Sequence, residues 1–308
     1  MSSDGMISGI RSRPRSQGSY TTIAVRQGLG RVVALGPTAL WYILFFLAPL
    51  ALMVRYSLAF TTGARLEYVW TLDNYIQIVS DPIYRSLLWR SLRLATLVTL
   101  ITLLIGYPAA WALARASDRH KTQLLALLIL PWWASYIVRI FGMRMGFGGG
   151  GIINAFLKWV GLTDKSLEIF GHNFFAIAVT EANLYLPLMI IPIYMSVERM
   201  DMSIVQAATS LGSRPWRTFL RVIVPLSLPG VLTGCIFVFL PVTGTFVVPA
   251  LVGGPSDIMY GNVISSQFGN SYNWPLGAAM AIVLLLLLMI MLRLLTLIAR
   301  RASGGIAA

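Results

Sequence analysis

Read along the chain, charged positions are gathered into short stretches that separate long blocks with none. Val32 to Val54 and Leu94 to Ala114 carry no charge, and Thr122 to Val138 is clean until Arg139, after which it stays apolar to about Gly146. Phe174 to Val197 holds one charged residue, Glu181; Val222 to Leu251 holds none; Leu276 to Leu292 continues past Arg293 to Ala299. A hydrocarbon core about 30 Å thick is crossed by about 20 apolar residues in a helix, which satisfies its own backbone polar groups. The pattern therefore predicts an all-α polytopic membrane protein with six transmembrane helices, at about 32–54, 87–114, 122–145, 174–197, 222–251 and 276–299. These form one membrane domain, 32–300, and no leftover stretch is long enough for a separate soluble domain. Residues 1–31, rich in Ser, Arg and Gly, read as a basic disordered tail, and 301–308 as a short second tail. A cleaved signal peptide is the weaker reading, because the first block is longer than a signal core and lacks a small-x-small cleavage site after it.

Composition agrees, with 57% hydrophobic and 11% charged residues against about a quarter charged in soluble domains. The net charge of +13 does not indicate nucleic-acid binding, since the basic residues sit between apolar blocks. Sorted by side, it gives a direction. With the N-terminus in the cytosol, 15 of the 24 Lys and Arg fall inside, leaving net +11 there and +3 outside, with Glu181 in the membrane. The positive-inside rule then places both termini in the cytosol. The single cysteine, Cys235, rules out an internal disulfide and a cysteine-based zinc site.

Motifs for catalysis are lacking. Gly146, Gly148 and Gly151 have the spacing of a dinucleotide-binding turn, but they follow a membrane span instead of a strand and read as an outer loop before the amphipathic segment Ile152 to Val160. Asp164-Lys165-Ser166 lacks the glycines of a phosphate loop. His120 and His172 fall on opposite sides of the membrane, so no metal site is expected. Facing spans assemble no nucleophile with its base, and no enzyme activity or bound cofactor is expected of this chain.

The cytosolic loop 198–221 is more informative. Met200 to Leu211 reads as a helix ended by Gly212, which takes the left-handed conformation at no steric cost; Ser213 can cap a second helix with Pro215 in its first turn. Such a pair projects an apolar and basic tip, with Trp216 and Arg217, suited to a groove on a soluble partner. Gln206-Ala207-Ala208, Gly212 four residues on, and Val222-x-Val224-Pro225 resemble the Glu-Ala-Ala loop of permease subunits of binding-protein-dependent ABC importers, with Gln206 in place of the family's Glu.

The likeness runs through Thr71-Leu72-Asp73-Asn74-Tyr75, Gly106-Tyr107-Pro108, Arg139-Ile140-Phe141-Gly142, Leu186-Pro187, Pro225-Leu226-x-x-Pro229-Gly230, Gly261-Asn262-Val263-Ile264 and Trp274-Pro275-x-Gly277-Ala278-Ala279. These are similar to the spermidine/putrescine importer permeases, the first of the two in such systems. The resemblance implies a type I importer subunit in a bacterial inner membrane. It also implies a homologous second permease, two copies of a cytosolic ATPase that uses ATP and Mg, and a periplasmic substrate-binding protein. The implied role is half of the path for a polyamine or related cationic solute. Another solute (an opine, amino-acid derivative, metal or oxyanion) is the alternative within the family, and a stand-alone secondary transporter or channel the alternative outside it.

Ionisable residues inside a membrane are rare and costly, so each is a functional candidate. Glu181 lies about seven residues into its span, roughly 10 Å deep at 1.5 Å per residue, and Arg139 at a similar depth. Either the two form an interhelical ion pair, or Glu181 faces a water-filled path and attracts a cation. Trp132, Trp133, Tyr136 and Tyr185 could offer a cation–π surface to a methylene-rich dication. Against that, Trp132 and Trp133 could simply be core and Tyr136 an interfacial anchor. Pro225, Pro229, Pro241 and Pro249, with Gly230, Gly234 and Gly244, suggest a kinked, bendable fifth span.

Overall fold

The computed structural model describes residues 36–62, 65–67, 69–148, 150–163 and 172–304. The expected basic tail 1–31, Asp164-Lys165-Ser166 and 305–308 lie outside them. The chain divides into two units between Arg55 and Tyr56. The described part of the first is most of helix α1 (Gly36–Ser57), which carries a π-helical turn at Ile43–Leu47 and whose last two residues belong to the second.

In the second unit the chain leaves α1 into a short hairpin, β1 (Phe60–Thr62) and β2 (Arg65–Glu67), a small departure from all-α. There follow α2 (Asp73–Ser80), α3 (Pro82–Arg115), α4 (Asp118–Ile129), a 3-10 turn (Leu130–Trp133), α5 (Tyr136–Phe147), α6 (Ile152–Trp159) and α7 (Phe174–Glu198). The chain ends with α8 (Met202–Ser210), α9 (Pro215–Thr243), α10 (Val247–Val252), α11 (Tyr260–Phe268) and α12 (Trp274–Gly304). Helices α1, α3, α7, α9 and α12 are each long and apolar enough to cross a membrane.

The stretch 122–145, continuous as hydropathy, is not one straight helix. It breaks after Trp133, and the two arms are bent 97° apart. Pro131 opens the 3-10 turn and Ala134 and Ser135 are extended, so the ladder cannot carry through. The stretch 222–251 breaks likewise: α9 ends at Thr243, and Gly244 to Phe246 are non-helical before α10.

The core is built by α7 lying between α3 and α9. Leu94, Val98, Ile177, Leu184, Met189, Ile193, Val238 and Val242 meet there, all buried. Close approach of α9 to α7 depends on two glycines one turn apart. A Cβ on Gly230 would stand 2.4 Å from the Pro192 carbonyl oxygen, and one on Gly234 would stand 2.8 Å from Met189 Sδ. Small residues four apart are how membrane helices bring backbones together. These glycines therefore serve contact between helices, where the sequence suggested bending.

A smaller cluster joins α2, α11 and α12 through Ile78, Tyr260, Leu276 and Met280. Asn74, buried, donates to the carbonyls of Ser57 (3.0 Å) and Ala59 (2.8 Å), which explains an amide in the Thr71 to Tyr75 motif. Polar ties between segments respect two sides. Lys121 Nζ meets Glu198 Oε1 at 2.8 Å at one end, while at the other Arg90 donates to the Ser256 carbonyl and Arg144 lies 3.5 Å from His172.

Candidate functional site

Two places gather the residues singled out by sequence: a surface element at 198–221 and a polar cluster inside the membrane-spanning bundle. In the first, Asp201 caps α8 by accepting from the Ser203 N–H at 2.9 Å, and that bond holds its carboxyl below the usual carboxylate range. The helix closes as a Schellman turn. Gly212 has φ +81°, its N–H donates to the Thr209 carbonyl (2.9 Å), and the Ser213 N–H donates to the Ala208 carbonyl (3.1 Å). The spacing from Ala208 to Gly212 is thus the spacing this turn requires. Ser213 does not cap the second helix; Arg214 occupies that position, and Ser213 Oγ instead accepts from Thr218 Oγ1 at 3.0 Å.

Gln206 and Ala207 lie exposed on α8, and Pro215 opens α9, followed by a π-helical stretch (Phe219–Ile223) just before Pro225. Leu211 is 89% exposed and Trp216 68%. These large apolar side chains stand open at a helical tip, beside Arg214 and Arg217. Trp216 stacks on Phe219 (6.0 Å between centroids), Phe219 meets Tyr107 of α3 edge-on (5.6 Å), and the Tyr107 hydroxyl lies 2.9 Å from Ser227 Oγ on α9. The tip is therefore continuous with the bundle through an aromatic chain.

The second place centres on Glu181, which is 0% exposed on α7. Tyr136, Tyr185 and Thr245 stand close enough to Glu181 and to one another to influence each other electrostatically. None of these approaches reaches hydrogen-bonding geometry, and both carboxylate oxygens lack a hydrogen-bond partner. The expected Glu181–Arg139 ion pair does not form. Among the described residues, Lys121 has carboxylate partners within 4.0 Å, in Asp118 and Glu198, whereas Arg139 and Glu181 are not so paired. Arg139 Nη1 instead lies 3.5 Å from the Leu184 carbonyl and its guanidinium 5.9 Å from the Trp132 ring centre, while its Nε is buried without a hydrogen-bond partner. Trp132 and Trp133 are not core: they sit on the 3-10 turn, 41% and 81% exposed. Tyr136 is half-buried and packs against the core.

Two residues were missed by sequence reasoning. Thr245 lies in the break between α9 and α10, fixed from outside by a later motif: Asn262 Nδ2 donates to the Phe246 carbonyl (2.8 Å), and Gly261 abuts the Thr245 carbonyl so closely that a Cβ would be 2.6 Å away. The signal was Gly244 inside an apparently unbroken span. Asn183 is exposed partway along α7. Exposed positions on α9 recur every four residues, at Pro229, Thr233, Phe237 and Pro241.

Residues 32–304 match the family described as binding-protein-dependent transport system inner membrane component. The chain is 38% identical over 245 residues to the spermidine/putrescine transport system permease protein PotB of Escherichia coli (strain K12), covering 79% of this chain and 88% of that one. It is 36% identical over 245 residues to PotB of Haemophilus influenzae, covering 79% and 85%. Among solved structures it superposes with TM-score 0.75 on a bacterial alginate ABC transporter in complex with an alginate pentasaccharide-bound periplasmic protein. That match covers 91% of this chain and 97% of the other at 13% identity, so it speaks to fold alone.

Proposed function

Because the chain belongs to the family of binding-protein-dependent transport system inner membrane components, a transport permease family and not an enzyme family, we propose that it forms half of the import path for a polyamine such as spermidine or putrescine. The observation that carries the substrate is the 38% identity to PotB proteins over 79% of the chain. In this reading the other half is a homologous second permease, and a periplasmic binding protein delivers the solute. Two cytosolic ATPase subunits hydrolyse ATP with Mg, which this chain itself does not bind. Both termini lie in the cytosol of a bacterial inner membrane.

The exposed tip at Leu211 and Trp216 docks the ATPase, and Gln206 contributes a hydrogen bond where a Glu would contribute charge. Exposed Asn183, a polar side chain on a membrane span, supports facing the second permease and the aqueous path rather than lipid, where an unsatisfied amide is costly. Trp132 and Trp133 extend that face, and Tyr136, Tyr185 and Arg139 stand behind it. An intramembrane acid does not suit an oxyanion. The test is reconstitution with both permeases, the ATPase and the binding protein: ATP-dependent uptake of labelled spermidine or putrescine is expected, and uptake that needs neither ATP nor partners overturns the reading.

A further inference from the structure

The acid at the centre of the intramembrane cluster calls for a ligand. Glu181 is fully buried with both oxygens unpartnered, and none of the described residues places a cation within ion-pair distance of it. What surrounds it instead is oxygen: the hydroxyls of Thr245, Tyr136 and Tyr185, on a side where Arg139 is turned toward Leu184 and Trp132. A carboxylate, three hydroxyls and two aromatic rings match a primary ammonium, which brings one charge, three N–H donors and an affinity for ring faces.

We propose that Glu181, Thr245, Tyr136 and Tyr185 form a binding site for one primary ammonium group, where a terminal amine of the solute is held during passage. The proposal rests on the polyamine reading above. The flanking backbone supplies access. Tyr136 begins the helix after the break at Leu130–Ser135, and Thr245 sits in the break at Gly244–Phe246. One hydroxyl thus rides on the residue just after a joint and another within a joint, beside a continuous helix that carries the acid. Displacing either joint uncovers the carboxylate without unwinding α7. Interrupted helices near the membrane interior are where transporters place such sites.

Shape and charge can be separated at this position. Glu181→Gln preserves shape and removes charge; Glu181→Asp preserves charge and shortens the side chain. In proteoliposomes holding the complete transporter, Glu181→Gln is expected to lower polyamine uptake about tenfold while ATP hydrolysis stimulated by the loaded binding protein persists, with Glu181→Asp the better of the two. A purely structural role reverses that order, and Gln equal to wild type, or better than Asp, overturns the site. If Glu181→Gln does not co-purify with its partners, Tyr185→Phe and Thr245→Val take its place. Each removes one oxygen, a several-fold loss is expected, and wild-type uptake by both overturns the site. Wild-type transporter that takes up no polyamine overturns the substrate reading and the site together, an outcome distinct from normal uptake by every variant.

Discussion

Gly212→Val tests the coupling tip directly. Gly212 has φ +81°, and nothing lies within 4 Å of where its Cβ would be. Steric conflict within the chain is therefore absent, and the backbone conformation alone sets the penalty. A side chain forced into the left-handed region costs about 1–2 kcal/mol, a factor of about 5–30 in the population of the closed turn. The loss falls on the bonds from Gly212 and Ser213 to the carbonyls of Thr209 and Ala208 that fix the angle between α8 and α9. In proteoliposomes the ratio of solute imported to ATP hydrolysed should drop by about that factor. Gly212→Asn is the control, because Asn tolerates the left-handed region though it is comparable in bulk to Val. It should remain near wild type. Normal coupling in the Val variant refutes the reasoning, as does an Asn variant as poor as Val, which would assign the effect to bulk against the partner.

Gly230→Ala should reduce the yield of folded, detergent-stable protein and lower its melting temperature. Its Cβ meets the Pro192 carbonyl at 2.4 Å and Ser196 Cβ at 2.5 Å, and overpacking of this kind costs about 1–3 kcal/mol. Gly244→Ala, with its nearest neighbour at 3.9 Å, should be mild by the same melting assay. Lys121→Ala should lower the melting temperature little, since its bond to Glu198 is solvent-accessible, and salt titration should shrink the difference. The Asp201 carboxyl is held low by the Ser203 N–H, so the stability its cap provides is present above the ordinary carboxylate pKa and is lost as pH falls through the depressed one. The protection factors of the α8 amides, taken against the intrinsic exchange rate at each pH, should fall over that acid range in wild type but show no such step in Asp201→Ala.

Hydropathy located the membrane-crossing stretches because the cost of burying charge acts on composition, whatever direction the helix takes. For the same reason it was blind to the breaks at Leu130–Ser135 and Gly244–Phe246, both apolar enough to pass as helix. The turn at Gly212 was legible since its geometry depends on local residues: a glycine, a preceding helix and a following proline. The Glu181–Arg139 pair failed for an opposite reason. Equal depth along two helices says nothing about angle around them, and Arg139 found a nearer carbonyl and ring. Thr245 was invisible as chemistry because an uncharged hydroxyl in an apolar stretch carries no signal until Asn262 and Gly261 fix its backbone beside Glu181.

Backbone contact at Gly230 and Gly234 also has a mechanical meaning. Helices joined that closely cannot slide past one another, so α7 and α9 turn as one lever. Helix α9 spans 29 residues, roughly 44 Å at 1.5 Å per residue. A tilt of about 5° imposed at Pro215 therefore sweeps its far end by about 4 Å, more than the width of a water molecule, at the joint that carries Thr245.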